Sequence, residues 1–172
     1  MHRLGILWAA LALAAGSAIF FLAPARAQEA APGWSAPINL SHAETNSHYP
    51  NLAIDPAGGL HVIWTEGDGQ DDAIYYTHLG AGGWTEPVDI LITPGGGPAY
   101  EPTMAADERG YLHVVWRGAG TMFYSSAYAP AAGSAGHWSM PQIIAPLGSN
   151  AGSPHLVADR AGTLHLVYAC LL

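Results

Sequence analysis

Apolar and polar positions alternate in short runs along this chain, and the runs return at a fixed interval. In "LHVIW" Leu60, Val62 and Trp64 point one way while His61 and Ile63 point the other, the period of two that makes a strand. The stretch around it, "DPAGGLHVIW" (55–64), comes back as "DERGYLHVVW" (107–116) and as "DRAGTLHLVY" (159–168). Asp55, Asp107 and Asp159 lie 52 residues apart, as do Gly58, Gly110 and Gly162, then His61, His113 and His165. Pro50, Pro102 and Pro154 keep that interval, and Trp64, Trp116 and Tyr168 close the series. A fixed period of this size marks a repeat architecture.

Each full repeat predicts four strands. The first is "NLAID" (51–55), matched by "TMAAD" and "HLVAD". A turn follows with Asp at its first position and Gly at its fourth, type I chemistry in which the Asp side chain caps the turn amides. The alternating run is the second strand, and "AIYYTHL" (73–79) and "TMFYSSAY" (121–128) are the third. The fourth opens on Trp and carries Pro three residues on, in "WTEPVDIL" from Trp84 and "WSMPQIIA" from Trp138, with an isolated copy, "WSAPINLS", from Trp34. Proline inside that strand marks it as an edge.

Four strands ending in an edge, with both faces partly apolar, describe a propeller blade that stacks on its neighbours. A β-sandwich would not account for the strict period. The expected fold class is therefore all-β, a β-propeller of four-stranded blades. The chain supplies about two and a half of them: a lone outer strand at 34–41, blades at 50–92 and 102–145, and a partial blade at 154–170. A closed ring takes roughly four to eight blades. A truncated longer reading frame is expected rather than closure by several chains, and open strand edges predict self-association.

The first 27 residues change the compartment. His2 and Arg3 precede an apolar run from Leu4 to Leu22 and a small-residue Ala25-Arg26-Ala27 end, the layout of a secretory signal peptide at 1–27. Residues 28–172 then form the mature domain, secreted or held at the cell-envelope exterior or in the periplasm. The competing reading is a retained membrane anchor. The mature part has three arginines, no lysine and all 13 carboxylates, a formal charge of −10, which excludes nucleic acid and anionic membranes as partners. Cys170 is the sole cysteine, so no disulfide framework exists.

The stretch "LAIDPAGGLHVIW…IYYTHLGAGGWTEPVDIL" resembles the repeats of bacterial sialidase-like, BNR/Asp-box-type propeller proteins, from Gly33 to Tyr168. A strict S-x-D-x-G-x-T-W box is absent; "GAGGWTEP" and "AGHWSMP" keep the Gly and Trp. The resemblance implies a propeller and, in active sialidases, an arginine trio, a Tyr–Glu nucleophile pair and an Asp acid/base. No such set carries over. Arg109 and Arg160 sit in turns, Arg117 has no arginine partners, and Tyr100–Glu101 aligns with "HYPN" and "GSPH", where a blade begins.

The remaining candidate chemistry is local. Equivalent positions of successive blades lie far apart around a ring, so His61, His113 and His165 are expected to bond to a neighbouring blade or turn rather than share a metal. The Trp64/Trp116/Tyr168 series is expected to pack between blades rather than to form a sugar platform. The unrepeated "EGDGQDD" offers Glu66, Asp68, Asp71 and Asp72 as a calcium set, although its spacing fits no EF-hand and a solvated turn is the simpler reading. No other cofactor is implied. The expected function is an exported, non-catalytic recognition or scaffold module with a glycan or other extracellular polymer as candidate ligand. The alternative is part of a sialidase-type glycoside hydrolase whose catalytic residues lie in further blades.

Overall fold

Because each alternating run pairs with the next, the chain folds as a series of antiparallel meanders. The computed structural model describes residues 33–145 and 150–170; the leader expected at 1–27 lies outside the described residues. The first sheet contains β1 (Asn46–Ile54), β2 (Leu60–Gly67), β3 (Ala73–Gly80), β4 (Gly83–Trp84) and β5 (Val88–Leu91). Both β4 and β5 pair with β3. The second sheet runs β6 (Tyr100–Ala106), β7 (Tyr111–Gly118), β8 (Thr121–Tyr128), β9 (Gln142–Ile143), and the third pairs β10 (Ala151–Ala158) with β11 (Leu164–Cys170). The fold is all-β and propeller-like. Among the described residues no helix is long and apolar enough to cross a membrane.

Two expectations about outer strands need correction. The lone strand at 34–41 does not form; those residues carry no strand. Pro37 offers no N–H, and a single strand without a ladder has nothing to satisfy its backbone. The fourth strands are also shorter than "WTEPVDIL" and "WSMPQIIA". The first is split into β4 and β5 around Pro87, and in the second Gln142 and Ile143, after Pro141, are the residues that pair with β8. Missing proline donors interrupt each ladder.

The period-two pattern decides which side of each sheet meets its neighbour. Ala53, Ile63, Ile74 and Tyr76 of the first sheet share one buried cluster with Met104, Val114, Trp116 and Phe123 of the second. Ala105, Val115 and Met122, from the opposite face of the second sheet, pack with Leu156, Leu164 and Leu166 of the third. Burying each large side chain of this kind contributes about 1.5–3 kcal/mol, so these two clusters hold the stack together. Polar bonds repeat at the same register. The Met104 N–H donates to Asn51 Oδ1 at 2.9 Å, and the Leu156 N–H donates to Thr103 Oγ1 at 3.2 Å. Donors 104 and 156, like acceptors 51 and 103, are one period apart.

Every first strand carries the same irregularity. Register slips between His48 and Asn51, between Tyr100 and Thr103, and between Gly152 and His155. At each bulge a non-glycine residue takes the left-handed conformation: Tyr49 (φ 52°), Glu101 (φ 51°) and Ser153 (φ 50°), each just before Pro50, Pro102 or Pro154. Such backbone costs about 1–2 kcal/mol per residue. Its recurrence shows that the architecture imposes the bend, while the side chain placed there is free to differ.

Candidate functional site

The two ends of the sheets have different chemistry. At the turn end, Asp55, Asp107 and Asp159 occupy equivalent turns closed by N–H donation from Gly58, Gly110 and Gly162 to their carbonyls. The three glycines have φ of 86°, 81° and 81°, a conformation that favours a residue without Cβ. One carboxylate oxygen caps the turn. Asp55 Oδ1 accepts from Gly59 N (2.7 Å), Asp107 Oδ1 from Arg109 N and Tyr111 N (both 2.9 Å), and Asp159 Oδ1 from Ala161 N and Thr163 N (2.8 and 2.9 Å).

The other carboxylate oxygen holds the histidine of the same repeat. His61 Nε2 lies 3.2 Å from Asp55 Oδ2, and His165 Nε2 lies 2.9 Å from Asp159 Oδ2. His113 Nε2 is 3.4 Å from Asp107 Oδ2, an electrostatic contact out of line for a hydrogen bond. Nδ1 faces a tyrosine of the third strand, Tyr76 Oη for His61 and Tyr124 Oη for His113, both at 2.8 Å. The Asp55 carboxylate accepts the hydrogen bond of His61 Nε2–H, so the Tyr76 hydroxyl donates to Nδ1. His61 thus ties its turn to its third strand, His113 bonds to its third strand and His165 to its turn, which places the histidine partners within one sheet rather than across sheets.

Burial and bonding pull these groups apart in acidity. Burial raises the Asp55 and Asp107 carboxyls, but the turn amides and the facing histidines outweigh it and leave both below the ordinary value. The His165 bond and the Thr163 amide lower Asp159. Burial pushes His61 down, partly opposed by Asp55, and pushes Tyr76 well up. A buried, closed Asp–His–Tyr relay with a hard-to-ionise tyrosine is a clamp, not a nucleophile. Trp116 is fully buried against Phe123, Trp64 is stacked on Tyr75, and Tyr168 is exposed.

The calcium set does not assemble. Glu66 Oε2 accepts from Trp64 Nε1 (2.8 Å), Asp68 from Gln70 N (3.1 Å), Asp71 from Gly97 N (3.3 Å), and the buried Asp72 from Gly69 N (2.6 Å). Among the described residues no three His, Cys, Asp or Glu side chains gather as a metal site. Each carboxylate is turned to its own amide or indole donor, so the loop is organised from within.

The bulge end holds the open site. The left-handed bend at Glu101 brings its carboxylate beside Arg117 of β7, with Nε 3.4 Å from Oε2. The same Oε2 accepts the Ser153 N–H at 2.6 Å. The Arg117 guanidinium carbon sits 5.0 Å from the centre of the Tyr100 ring, and Tyr49 meets that ring edge-on at 6.5 Å. The ion pair edges a shallow depression of about 290 Å³ lined by Glu101, Arg117, Gly120, Asn150, Ala151 and Gly152. A Cβ on Gly152 would come within 3.4 Å of Glu101 Oε2, so glycine there leaves the carboxylate its room.

Sequence reasoning set Arg117 and Glu101 aside, the one for want of arginine partners and the other as the beginning of a blade. A usable signal was present. One period away Arg117 is replaced by Thr65 and Ala169, and Glu101 by Tyr49 and Ser153, so the ion pair occurs in a single repeat and the architecture does not require it.

Comparison with known proteins adds little to this geometry. No family model matches the sequence, so the sialidase-like resemblance rests on the repeat motifs alone. No curated protein matches it either. Among solved structures, the chain is similar to an endo-arabinase from Bacteroides thetaiotaomicron VPI-5482, with a TM-score of 0.49 and 16% identity over 70% of this chain and 50% of that one. The chain therefore spans about half the length of that protein, and a likeness this slight transfers neither substrate nor site residues.

Proposed function

We propose that this chain is an exported, propeller-type recognition module that binds a neutral, hydroxyl-rich polymer, a glycan in the first instance, at the Glu101–Arg117 depression. The observation that carries the reading is the ion pair itself, which occurs in one repeat only although the bend beneath it recurs in all three. A guanidinium over an aromatic ring beside a carboxylate offers donors, acceptors and a flat apolar face within one shallow surface. That combination suits sugar hydroxyls. The charge of the mature chain disfavours an anionic ligand.

Binding is favoured over hydrolysis by the carboxylates. Glycosidases use two, set roughly 5–9.5 Å apart across the scissile bond. Among the described residues lining this depression Glu101 is the one carboxylate, and it is engaged by Arg117 and the Ser153 amide. Affinity electrophoresis of residues 28–172 through gels containing neutral polysaccharides tests the reading. Retardation by at least one polymer, lost in Arg117→Ala, is expected. Release of reducing sugar by the wild type and not by Glu101→Gln would instead make the chain a hydrolase.

A further inference from the structure

The turn end carries an aromatic pair that the fold does not require. Tyr111 opens β7 and Tyr128 closes β8, directly opposite in register. Their rings lie 5.5 Å apart, tilted by 54°, and both are exposed, at 44% and 49%. Equivalent positions hold Gly59 and Gly80 in the first sheet and Thr163 in the third, so packing and turn chemistry are satisfied without an aromatic there. Two rings of this size left in water are costly unless something covers them.

Beside them runs a groove of about 170 Å³ between the turn at Asp55–Ala57 and the turn at Glu108–Gly110, with Tyr128 and Pro130 on one wall. Gly110 leaves the Tyr128 ring its room, since a Cβ there would meet the ring at 3.4 Å. The rim is polar. Glu108 is exposed, and Arg109 is anchored through Nε to Asp107 Oδ2 at 3.3 Å while its side chain stays 74% exposed. An aromatic wall with an adjacent acceptor and an adjacent guanidinium matches a sugar ring, whose C–H face stacks while its hydroxyls bond sideways. The groove has room for about one such ring and not for an extended peptide, and the acidic surface disfavours an anionic sugar.

We propose that Tyr111, Tyr128, Glu108 and Arg109 form a second saccharide site that takes one neutral pyranose unit. It stands apart from the bulge-end depression, since Tyr111 and Arg117 lie at opposite ends of β7, six residues and roughly 20 Å apart. Two sites on one sheet would let a single polymer engage twice, raising avidity without a new contact at either.

The test is ¹H–¹³C NMR of the tyrosine rings in residues 28–172, titrated with the methyl glycosides of glucose, galactose, mannose and xylose. Upfield shifts of the Tyr111 and Tyr128 ring signals with at least one glycoside are expected, with affinity roughly tenfold weaker in Tyr111→Ala. Tyr128→Phe keeps the ring and should keep the shifts, and Glu108→Gln, an exposed change that leaves the core alone, should weaken them. The readout is the rings themselves, so it is independent of what Arg117 binds. Ring signals unmoved by all four glycosides, or equal binding by Tyr111→Ala and wild type, would overturn the proposal.

Discussion

The carboxylate of Glu101 accepts the backbone N–H of Ser153 at 2.6 Å, so residues one full period apart are bonded directly to each other. The left-handed bend that the repeat imposes on both positions makes this contact, and it ties the open site to the junction between the second and third sheets. Removing the carboxylate should therefore be felt in stability as well as in binding. Glu101→Ala is expected to cost about 1–3 kcal/mol in urea denaturation, the scale for an amide and a guanidinium that lose a charged acceptor. Unchanged stability would show that the Ser153 bond is dispensable.

The Asp–His–Tyr clamps predict a graded series. Tyr76→Phe leaves the buried His61 Nδ1 without its donor and should cost about 1–3 kcal/mol. Tyr124→Phe should behave alike, because His113 Nδ1 has the same bond. Asp159→Ala, at an exposed turn, should cost less than Asp107→Ala, whose carboxylate is buried. Denaturant midpoints of the four variants check the order.

How much of this was legible in the sequence follows from which interactions are local. Asp55 and Gly58 act within one turn, so their spacing announced the turn. The His61–Tyr76 and His113–Tyr124 pairs span 15 and 11 residues because the intervening loops differ in length, and no fixed spacing reveals them. The bulges at Tyr49, Glu101 and Ser153 share no residue type; the stacking of first strands imposes the bend, against the extended preference of a residue before proline. The Glu101–Arg117 pair depends on that bulge for its register, which a period-two reading cannot supply. Pro87 and Pro141 were read as edge markers, and they interrupt the strand as well.

Acid should weaken the fold in two stages. His61 is pushed below its ordinary 6.5, so the unfolded chain takes up that proton first, and its contribution is complete above pH 6.5 and lost as pH falls below it. Burial, which disfavours the charged ring, is the main cause, and the Asp55 carboxylate partly opposes it. Asp55 and Asp107 lie below their ordinary 3.8, so their contribution is present above that value and lost as pH falls further. Tyr76, raised from 10.0, adds a loss above that pH. Thermal unfolding from pH 3 to 11 tests the profile, and Tyr76→Phe should flatten its alkaline arm.

The third sheet should drive self-association. Ala53 and Ile63, and one period on Ala105 and Val115, are covered by the next sheet, with exposures of 8%, 0%, 8% and 1%. Their equivalents Val157 and Val167 are 58% and 71% exposed, on a face the repeat elsewhere buries. Light scattering of residues 28–172 should show species heavier than the monomer, and Val157→Lys with Val167→Glu should shift the population to monomer. A monodisperse wild-type monomer would contradict this.

The central claim is that Arg117, stacked on Tyr100 and paired with Glu101, reads the ligand. Its most direct test is calorimetric titration of a neutral polysaccharide selected by affinity electrophoresis into wild type, Arg117→Ala and Arg117→Lys. A planar guanidinium stacked on a ring is not replaced by an ammonium, so both variants should bind at least about tenfold more weakly while remaining folded. Binding by Arg117→Ala equal to wild type would contradict the account.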